Sequence, residues 1–499
     1  MQLGQFAAFG VDRVAVRRPS WNDILMCDDR ARAQMVLVAA LVASCGGSAR
    51  PVAPPLHAVP PPSAPITPTN PAVPSRPTVI AAPAVTKTVV MRDVPSQNPL
   101  FSTDGAHVAL MVGAGSPPRE LSIDGQLVTN GVQVEAVALA ADASWVSYRT
   151  YHDQAHELVH RGARIPLANA GPLAVSSDGT HWAVATYDTV TGKDRVVLDG
   201  TEVFVGHTPS QLTLSAAGQL AFVALVHPLR GQNRVHVVGG KPGPVVDGVS
   251  ELRFTSGGVQ YVALRGAAES LDTLTTRGRA YESVTDGVDM LAGGAAFYAA
   301  RRKTRGANDA AVVVIGAREH GPYRQVYERA HHGAHAAWIA ERSRRPGRGP
   351  SHELVVVLDG VVVHSRDLGV LSPMGDRGPD AAGLALHPGG TELAFGLAGR
   401  DGRGFELVVV APGTPEVMTG LAGEPFAYDA AGDRVALLAW TDNGKRRVRI
   451  TARPFSTASD GPALDKVFVE TLRFDAGGGV VTYFAIDGKD LVRVEHRSL

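Results

Sequence analysis

The stretch VSSDGTHWAVATY, residues 175 to 187, holds the pattern on which the fold depends. An apolar run enters a turn at Asp178-Gly179, and a second run of small and apolar residues leaves it. Asp and Gly are residues that tight turns favour, and short apolar runs on both sides of such a turn indicate strands. The stretch therefore predicts two antiparallel strands joined by a turn.

This pattern recurs from about residue 86 to the end of the chain. Clear copies are FSTDGAHVAL from residue 101, LSAAGQLAFVAL from 214, LHPGGTELAFGL from 386 and YDAAGDRVALLAW from 428. A third run often ends on Asp-Gly, as at Gly125, Gly200 and Gly360. This pair favours a type I′ turn into a fourth strand, because both central residues of that turn need positive φ. Four strands in about 40 residues, repeated about ten times, are typical of an all-β fold, the β-propeller with four-stranded blades.

The turn pattern resembles the WD40-like repeats of TolB-type β-propellers, whose usual form is Ser-Pro-Asp-Gly. Thr103-Asp104-Gly105 and Ser177-Asp178-Gly179 keep the Asp-Gly, and His387-Pro388-Gly389 keeps the proline. No copy has all four residues. The resemblance covers about four fifths of the chain and implies a fold but no particular activity.

The segment TKTVVMR, residues 86 to 92, is a β-like run without a repeat of its own. The last repeat offers only three strands, so this run would complete it and remove an exposed edge. This favours a single closed ring built from residues 86–499. Ten blades exceed the usual range of about four to eight, so two smaller rings are the alternative.

Residues 1–44 are predicted to be a bacterial lipoprotein signal peptide. Their apolar run, MVLVAALVASC at 35 to 45, is too short to span a bilayer. Val42-Ala43-Ser44-Cys45 resembles a lipobox, which implies that Cys45 is diacylated and becomes the first residue of the mature chain. The alternative is a short apolar segment with an accidental cysteine. The long segment of mixed charge before Met35 would be explained by a start codon assigned too far upstream, with Met26 as the true start.

Residues 45–85 are predicted to be the lipidated cysteine and a Pro-rich tether. Twelve prolines fall between Pro51 and Pro83, a composition that runs as an extended spacer and cannot bury a core. A lipid anchor, a tether and a propeller predict a protein of the cell envelope that faces the periplasm or the surface, preferentially at the outer membrane.

The motif HELVH, residues 156 to 160, matches the zinc-binding pattern H-E-x-x-H, which requires a helix. Here it aligns with the third strand of the second repeat. On a strand His156 and His160 would lie ~13 Å apart, and Glu157 would face the opposite side. Because zinc–nitrogen bonds are ~2.0 to 2.1 Å, one zinc ion could not bind both histidines. We therefore predict that this motif holds no metal.

A second group of histidines, His331, His332 and His335, surrounds the turn at Gly333. Such a group could bind a metal ion, but histidines near a turn are more often solvated. We therefore predict neither a metal nor a cofactor. Cys27 and Cys45 are the only cysteines, which excludes a disulfide framework or a Cys-based zinc site downstream. No G-x-S-x-G elbow and no phosphate-binding glycine motif occurs, so no catalytic residue is predicted.

The links between the second and third strands of the sixth to ninth repeats are basic. They hold thirteen cations against the acidic residues Asp309, Glu341, Asp401 and Asp442, although the whole chain has 48 basic and 48 acidic residues. Ordinary solvated loops would explain them, and a docking face for an anionic partner is the functional interpretation. The cations are Arg301, Arg302, Lys303, Arg305, Arg342, Arg344, Arg345, Arg348, Arg400, Arg403, Lys445, Arg446 and Arg447.

These observations favour a monomeric, lipid-anchored and non-enzymatic propeller that binds or scaffolds a protein or an anionic envelope component. Zero net charge gives no reason to expect nucleic acid, and contact with the membrane is expected through the lipid anchor only. The alternative is a propeller enzyme, such as a lactonase, lyase or glycan hydrolase, with its active site in the central channel.

Overall fold

The computed structural model places residues 85–497 within one unit, Ala72–Leu499. The described residues are 85–497, except 95–98, 103, 113–119, 141–145, 153–154, 168, 170, 189–190, 304–309, 345–350, 371–380, 399–403 and 415–416. The signal peptide, Cys45 and nearly all of the tether predicted from the sequence lie outside these residues.

The described secondary structure consists of strands and one 3-10 turn, Pro228–Arg230. Strands up to the middle of the chain are β1 (Val85–Met91), β2 (Leu100–Phe101), β3 (Val108–Val112), β4 (Glu120–Ile123), β5 (Gln126–Asn130), β6 (Gln133–Leu139), β7 (Val146–His152), β8 (Ala155–His160), β9 (Ala163–Leu167), β10 (Leu173–Val175), β11 (Trp182–Asp188), β12 (Lys193–Leu198), β13 (Thr201–Leu214), β14 (Leu220–His227), β15 (Gln232–Val237), β16 (Val245–Val246), β17 (Gly248–Thr255), β18 (Gly258–Arg265) and β19 (Ala268–Thr273). The remaining strands are β20 (Ser283–Met290), β21 (Ala296–Arg301), β22 (Ala311–Ile315), β23 (Arg318–Tyr323), β24 (Gln325–His332), β25 (His335–Ser343), β26 (Ser351–Leu358), β27 (Val361–Val370), β28 (Ala381–Leu386), β29 (Leu393–Ala398), β30 (Phe405–Val410), β31 (Val417–Ala422), β32 (Glu424–Tyr428), β33 (Arg434–Trp440), β34 (Arg446–Ala452), β35 (Ala458–Asp460), β36 (Lys466–Phe474), β37 (Val480–Asp487) and β38 (Asp490–Arg497). Within the described part of the chain, no helix is long and apolar enough to cross a membrane.

Successive strands form antiparallel sheets of four, which we number as units 1 to 10 in chain order. The units are β2–β5, β6–β9, β10–β13, β13–β16, β17–β19, β20–β23, β24–β27, β28–β31, β32–β35, and β36–β38 with β1. Units 3 and 4 share β13, which is the last strand of one and the first of the other. Unit 5 has three strands and an isolated bridge between Glu269 and Tyr281. Repeated four-stranded antiparallel units make the protein a β-propeller, as the sequence predicts.

The last unit is completed by the first strand of the described chain. β1 pairs antiparallel with β38, from Val85 opposite His496 to Met91 opposite Leu491. The sheet order β1-β38-β37-β36 gives this unit its fourth strand. The prediction that residues 86 to 92 complete the last repeat is therefore confirmed.

The core lies between the units. Ten clusters of buried apolar side chains are described, and each combines residues of two successive units or of units 10 and 1. In the cluster between units 10 and 1, Phe484 and Leu491 pack with Val108 and Leu110. The succession of clusters therefore returns to its starting unit, and each sheet is stabilised by apolar burial on both faces.

The Asp-Gly turns adopt the conformation that the sequence predicts. Asp199 and Gly200 have φ of 48° and 84°, as a type I′ turn requires. Each such aspartate also binds the start of the second strand of its unit. The imidazole Nδ1 of His181 lies 2.7 Å from Asp199 Oδ2, and the Trp182 N–H donates to Asp199 Oδ1 over 2.9 Å. His107 with Asp124, and His335 with Asp359, repeat this arrangement.

Candidate functional site

The motif at residues 156 to 160 lies on a strand, β8, as predicted. His160 is buried, its Nδ1 lies 2.7 Å from Ser147 Oγ, and burial lowers its pKa. The His156 ring packs against Tyr151, and Glu157 forms an ion pair with Arg164. These contacts are structural. Across the described ranges, no group of three or more His, Cys, Asp or Glu side chains could hold a metal ion.

The histidines around Gly333 are divided between two environments. His335 Nδ1 lies 2.7 Å from Asp359 Oδ2, and the ring contacts the turn at Gly390 of the next unit. His331 and His332 end β24 and are exposed at the edge of a pocket. The structure therefore separates His335, which fixes a turn, from the two histidines that face solvent.

This pocket has a volume of about 480 Å³ and extends across the first strands of units 7 to 10. Phe426, Tyr428 and Phe474 contribute rings to its lining. Two of its polar groups have partners within the protein, since the Tyr428 hydroxyl donates to Glu392 over 2.9 Å and the buried Asp429 binds Arg434. Tyr428 is therefore part of the packing between units 8 and 9, whereas Asp429 holds the hairpin turn of unit 9.

Glu328 is a partly buried carboxyl on the same first strands. Gly383 of β28 donates its N–H to Glu328 Oε1 over 3.0 Å. Burial is the main cause that raises the pKa of Glu328 to about 7, with a further contribution from the Glu424 carboxyl on β32. Neither carboxyl was singled out from the sequence, because their proximity depends on how three units pack together.

The predicted basic links lie where second strands end and third strands begin, which we call the link end of the units. Arg305, Arg345, Arg348, Arg400 and Arg403 lie outside the described residues. Most of the others form ion pairs with carboxylates, as in Arg302 with Glu319 at 2.5 Å and Arg447 with Asp460 at 2.9 Å. The remaining pairs are Arg301–Glu282, Arg342–Glu353, Arg344–Asp367 and Lys445–Asp465. The sequence count missed these carboxylates because they lie outside the links themselves.

Arg446 has a different environment. Its guanidinium carbon lies 4.4 Å from the ring centroid of Trp440, its direct cross-strand partner in β33 and β34. Trp440 is 54% exposed at the link end. Exposed cation–π contacts of this kind contribute about 0.5–1 kcal/mol. Trp and Arg are also the residues that most often dominate binding energy at interfaces. Among the described residues, Trp440 and Arg446 are therefore the strongest candidate for a binding site.

No family model matches the chain, and no curated protein matches it. Among solved structures, the chain is similar to the dihydro-heme d1 dehydrogenase NirN in complex with DHE, with 14% identity, a TM-score of 0.30, and 66% of this chain and 77% of that chain covered. It is also similar to Kuenenia stuttgartiensis hydrazine synthase, with 12% identity, a TM-score of 0.21, and coverage of 66% and 94%. A third similar structure is the β-propeller domain of the trilobed protease from Pyrococcus furiosus, described as having an open velcro topology, with 9% identity, a TM-score of 0.24, and coverage of 73% and 95%.

Proposed function

We propose that this protein is a lipid-anchored β-propeller of a bacterial cell envelope, related to the TolB-type WD40-like repeats, which binds a protein or an anionic envelope component without catalysis. The lipobox at Cys45 and the Pro-rich tether support the location. The fold supports a binding role, because propellers present many links on one face.

The observation that carries this proposal is the exposed Trp440 with Arg446 stacked on it. A large aromatic ring in water exposes apolar surface that a partner would cover. Arg446 belongs to the predicted basic face, and Lys445 and Arg447 flank it along the chain. The pair therefore combines aromatic contact area with a cation that fits an anionic partner.

We also propose that the ten units form one closed ring rather than two smaller rings. Two rings of five would require a packed core between units 5 and 1 and between units 10 and 6. The described clusters instead join unit 5 to unit 6 and unit 10 to unit 1. A single ring would place all link ends on one face.

A central-channel enzyme is the second candidate, and Glu328 is the observation that favours it. A carboxyl with a pKa of about 7 suits a general acid or base. However, Glu328 accepts its hydrogen bond from a backbone N–H, and burial among the first strands explains its pKa. The binding role therefore remains our proposal.

Site-specific photo-crosslinking in bacterial cells that express the protein tests this proposal. A photoreactive residue in place of Trp440 should give a light-dependent adduct, and adding Arg446→Glu should reduce its yield. The matched control places the same residue at Leu127, which is 60% exposed at the opposite end of its unit. The proposal fails if position 440 gives no adduct, or if both positions give the same one.

A further inference from the structure

Three large side chains are exposed at the link end in different units. Tyr187 lies near the end of β11 in unit 3, Leu229 lies on the 3-10 turn between β14 and β15 in unit 4, and Trp440 ends β33 in unit 9. Leu229 is fully exposed, and Tyr187 is 44% exposed. A partner that covers these side chains would remove apolar area from water, which is favourable.

Two of these side chains have an exposed or stacked cation directly beside them. Arg230 follows Leu229 and is exposed, and Arg446 stacks on Trp440. Tyr187 instead lies opposite Asp194 and next to Asp188, with the exposed Lys193 opposite Asp188. The pattern at two separate links is therefore an apolar or aromatic tip with a positive neighbour, and Tyr187 has both signs of charge nearby.

The opposite end of the units differs in charge. There Leu127 and Val361 are exposed, but they follow the turn aspartates Asp124 and Asp359. An anionic surface would meet these carboxylates at that end, and the cations Arg230 and Arg446 at the link end. Exposed apolar residues occur at both ends, and at the link end Leu229 and Trp440 have cations beside them.

The wide separation of the tips favours a flat partner over a compact one. A protein epitope draws its binding energy from a contiguous central cluster, whereas these residues belong to units 3, 4 and 9. A bilayer surface can contact distant residues at the same time. Trp and Tyr occupy the headgroup region of membranes, leucine reaches the acyl boundary, and Arg and Lys bind lipid phosphates.

We infer that the link end of this propeller binds the surface of an anionic phospholipid bilayer, with Tyr187, Leu229 and Trp440 entering the interfacial layer. This inference rests on the proposed function and names its partner. The lipid on Cys45 would hold the chain at the membrane, and the link end would orient the propeller on it.

Vesicle sedimentation tests the inference with the full chain carrying Cys45→Ala, which removes the acyl anchor. We expect binding to vesicles of phosphatidylethanolamine with phosphatidylglycerol and little binding to phosphatidylethanolamine alone. Added salt should weaken the binding. Arg446→Gln should reduce affinity about fivefold, as expected for one cation near a charged membrane. The double variant Leu229→Gln, Trp440→Gln should lose about tenfold or more, since binding scales with buried apolar area.

Leu127→Gln is the matched control and should bind like the parent chain, and thermal unfolding of each variant checks its fold. A second readout is the blue shift of tryptophan emission on binding, which Trp440→Phe should reduce while Trp21→Phe and Trp145→Phe should leave it unchanged; the other two tryptophans, Trp182 and Trp338, are buried. Equal binding to both vesicle types, or unchanged binding by the double variant, overturns the inference. A protein adduct at position 440 without vesicle binding also overturns it, while leaving the proposed binding function intact.

Discussion

Glycine at the hairpin turns sets how closely successive units approach. Gly432 has φ of 79°, and a Cβ at this position would collide with the His387 imidazole of unit 8. His181 meets Gly218 in the same way, with its ring 2.5 Å from the position of a Cβ. These contacts join one turn to the next, so the space left by hydrogen is a structural requirement at these positions.

Gly432→Ala should therefore destabilise the protein strongly. The alanine would have both an unfavourable left-handed conformation, which costs about 1–2 kcal/mol, and a clash that costs about 1–3 kcal/mol more. Gly444→Ala is the control, because its φ is 77° and a Cβ there would have no neighbour within 4 Å. Urea unfolding should show the larger loss at Gly432. Equal losses would mean that the turn contact does not limit packing.

Glu328→Gln should stabilise the protein in alkaline solution. The folded pKa of Glu328 is about 7 and its ordinary value is 4.5, so folding favours the protonated carboxyl. Its contribution to stability is complete below pH 4.5 and is lost as the pH rises through 7. The loss is up to about 3 kcal/mol, at about 1.36 kcal/mol per pKa unit. Glutamine cannot ionise, so unfolding free energies of variant and wild type should diverge above pH 5 in favour of the variant. Parallel curves would contradict this.

At the scale of the strand, His496 on β38 makes the closing sheet sensitive to acid. The side chain is fully buried, and its Nε2 lies 2.7 Å from Ser459 Oγ in unit 9. Burial lowers its pKa from 6.5 to about 4, against the opposing charge of Asp460. Because the unfolded chain binds the proton more readily, stability is complete above pH 6.5 and is lost as the pH falls to about 4.

His496→Gln should remove this dependence while retaining a hydrogen bond to Ser459. The wild type should lose about 3 kcal/mol more than the variant between pH 6.5 and pH 4. The measurement is the difference between their unfolding free energies across this range, which cancels the titration of other groups. A constant difference would show that His496 titrates normally in the folded protein.

The strands could be predicted from the sequence because their turns are local. Asp199-Gly200 encodes its own conformation, and the repeated turns fix the strand spacing. The pairing of Arg447 with Asp460 could not be predicted, because it depends on the register of β34 against β35. The exposure of Trp440 could not be predicted either. The sequence pattern of an apolar strand does not show which of its ends the neighbouring strands leave exposed to solvent. The sharing of β13 could not be predicted either. No turn in the sequence separates the end of unit 3 from the start of unit 4, and the two units form one sheet through this strand.

At the scale of the whole propeller, β1 connects the two ends of the described chain. It contributes the fourth strand of unit 10, and the loss of an edge strand exposes unpaired backbone and apolar surface. Val85 packs in the cluster between units 9 and 10, and Val90 and Met91 pack in the cluster between units 10 and 1. In an array whose units contact mainly their neighbours, this joint is the one that stabilises both ends.

Deletion of residues 85–91 should therefore lower the melting temperature and promote aggregation. Deletion of residues 51–80 is the control, because none of the described sheets or clusters contains these residues. A milder variant, Met91→Asp, places a charge in the cluster between units 10 and 1 and should lower the melting temperature without removing the strand. Light scattering during thermal unfolding measures both effects. If the two deletions melted alike and Met91→Asp melted like the wild type, the pairing of β1 with β38 would not be what holds the first and last units together.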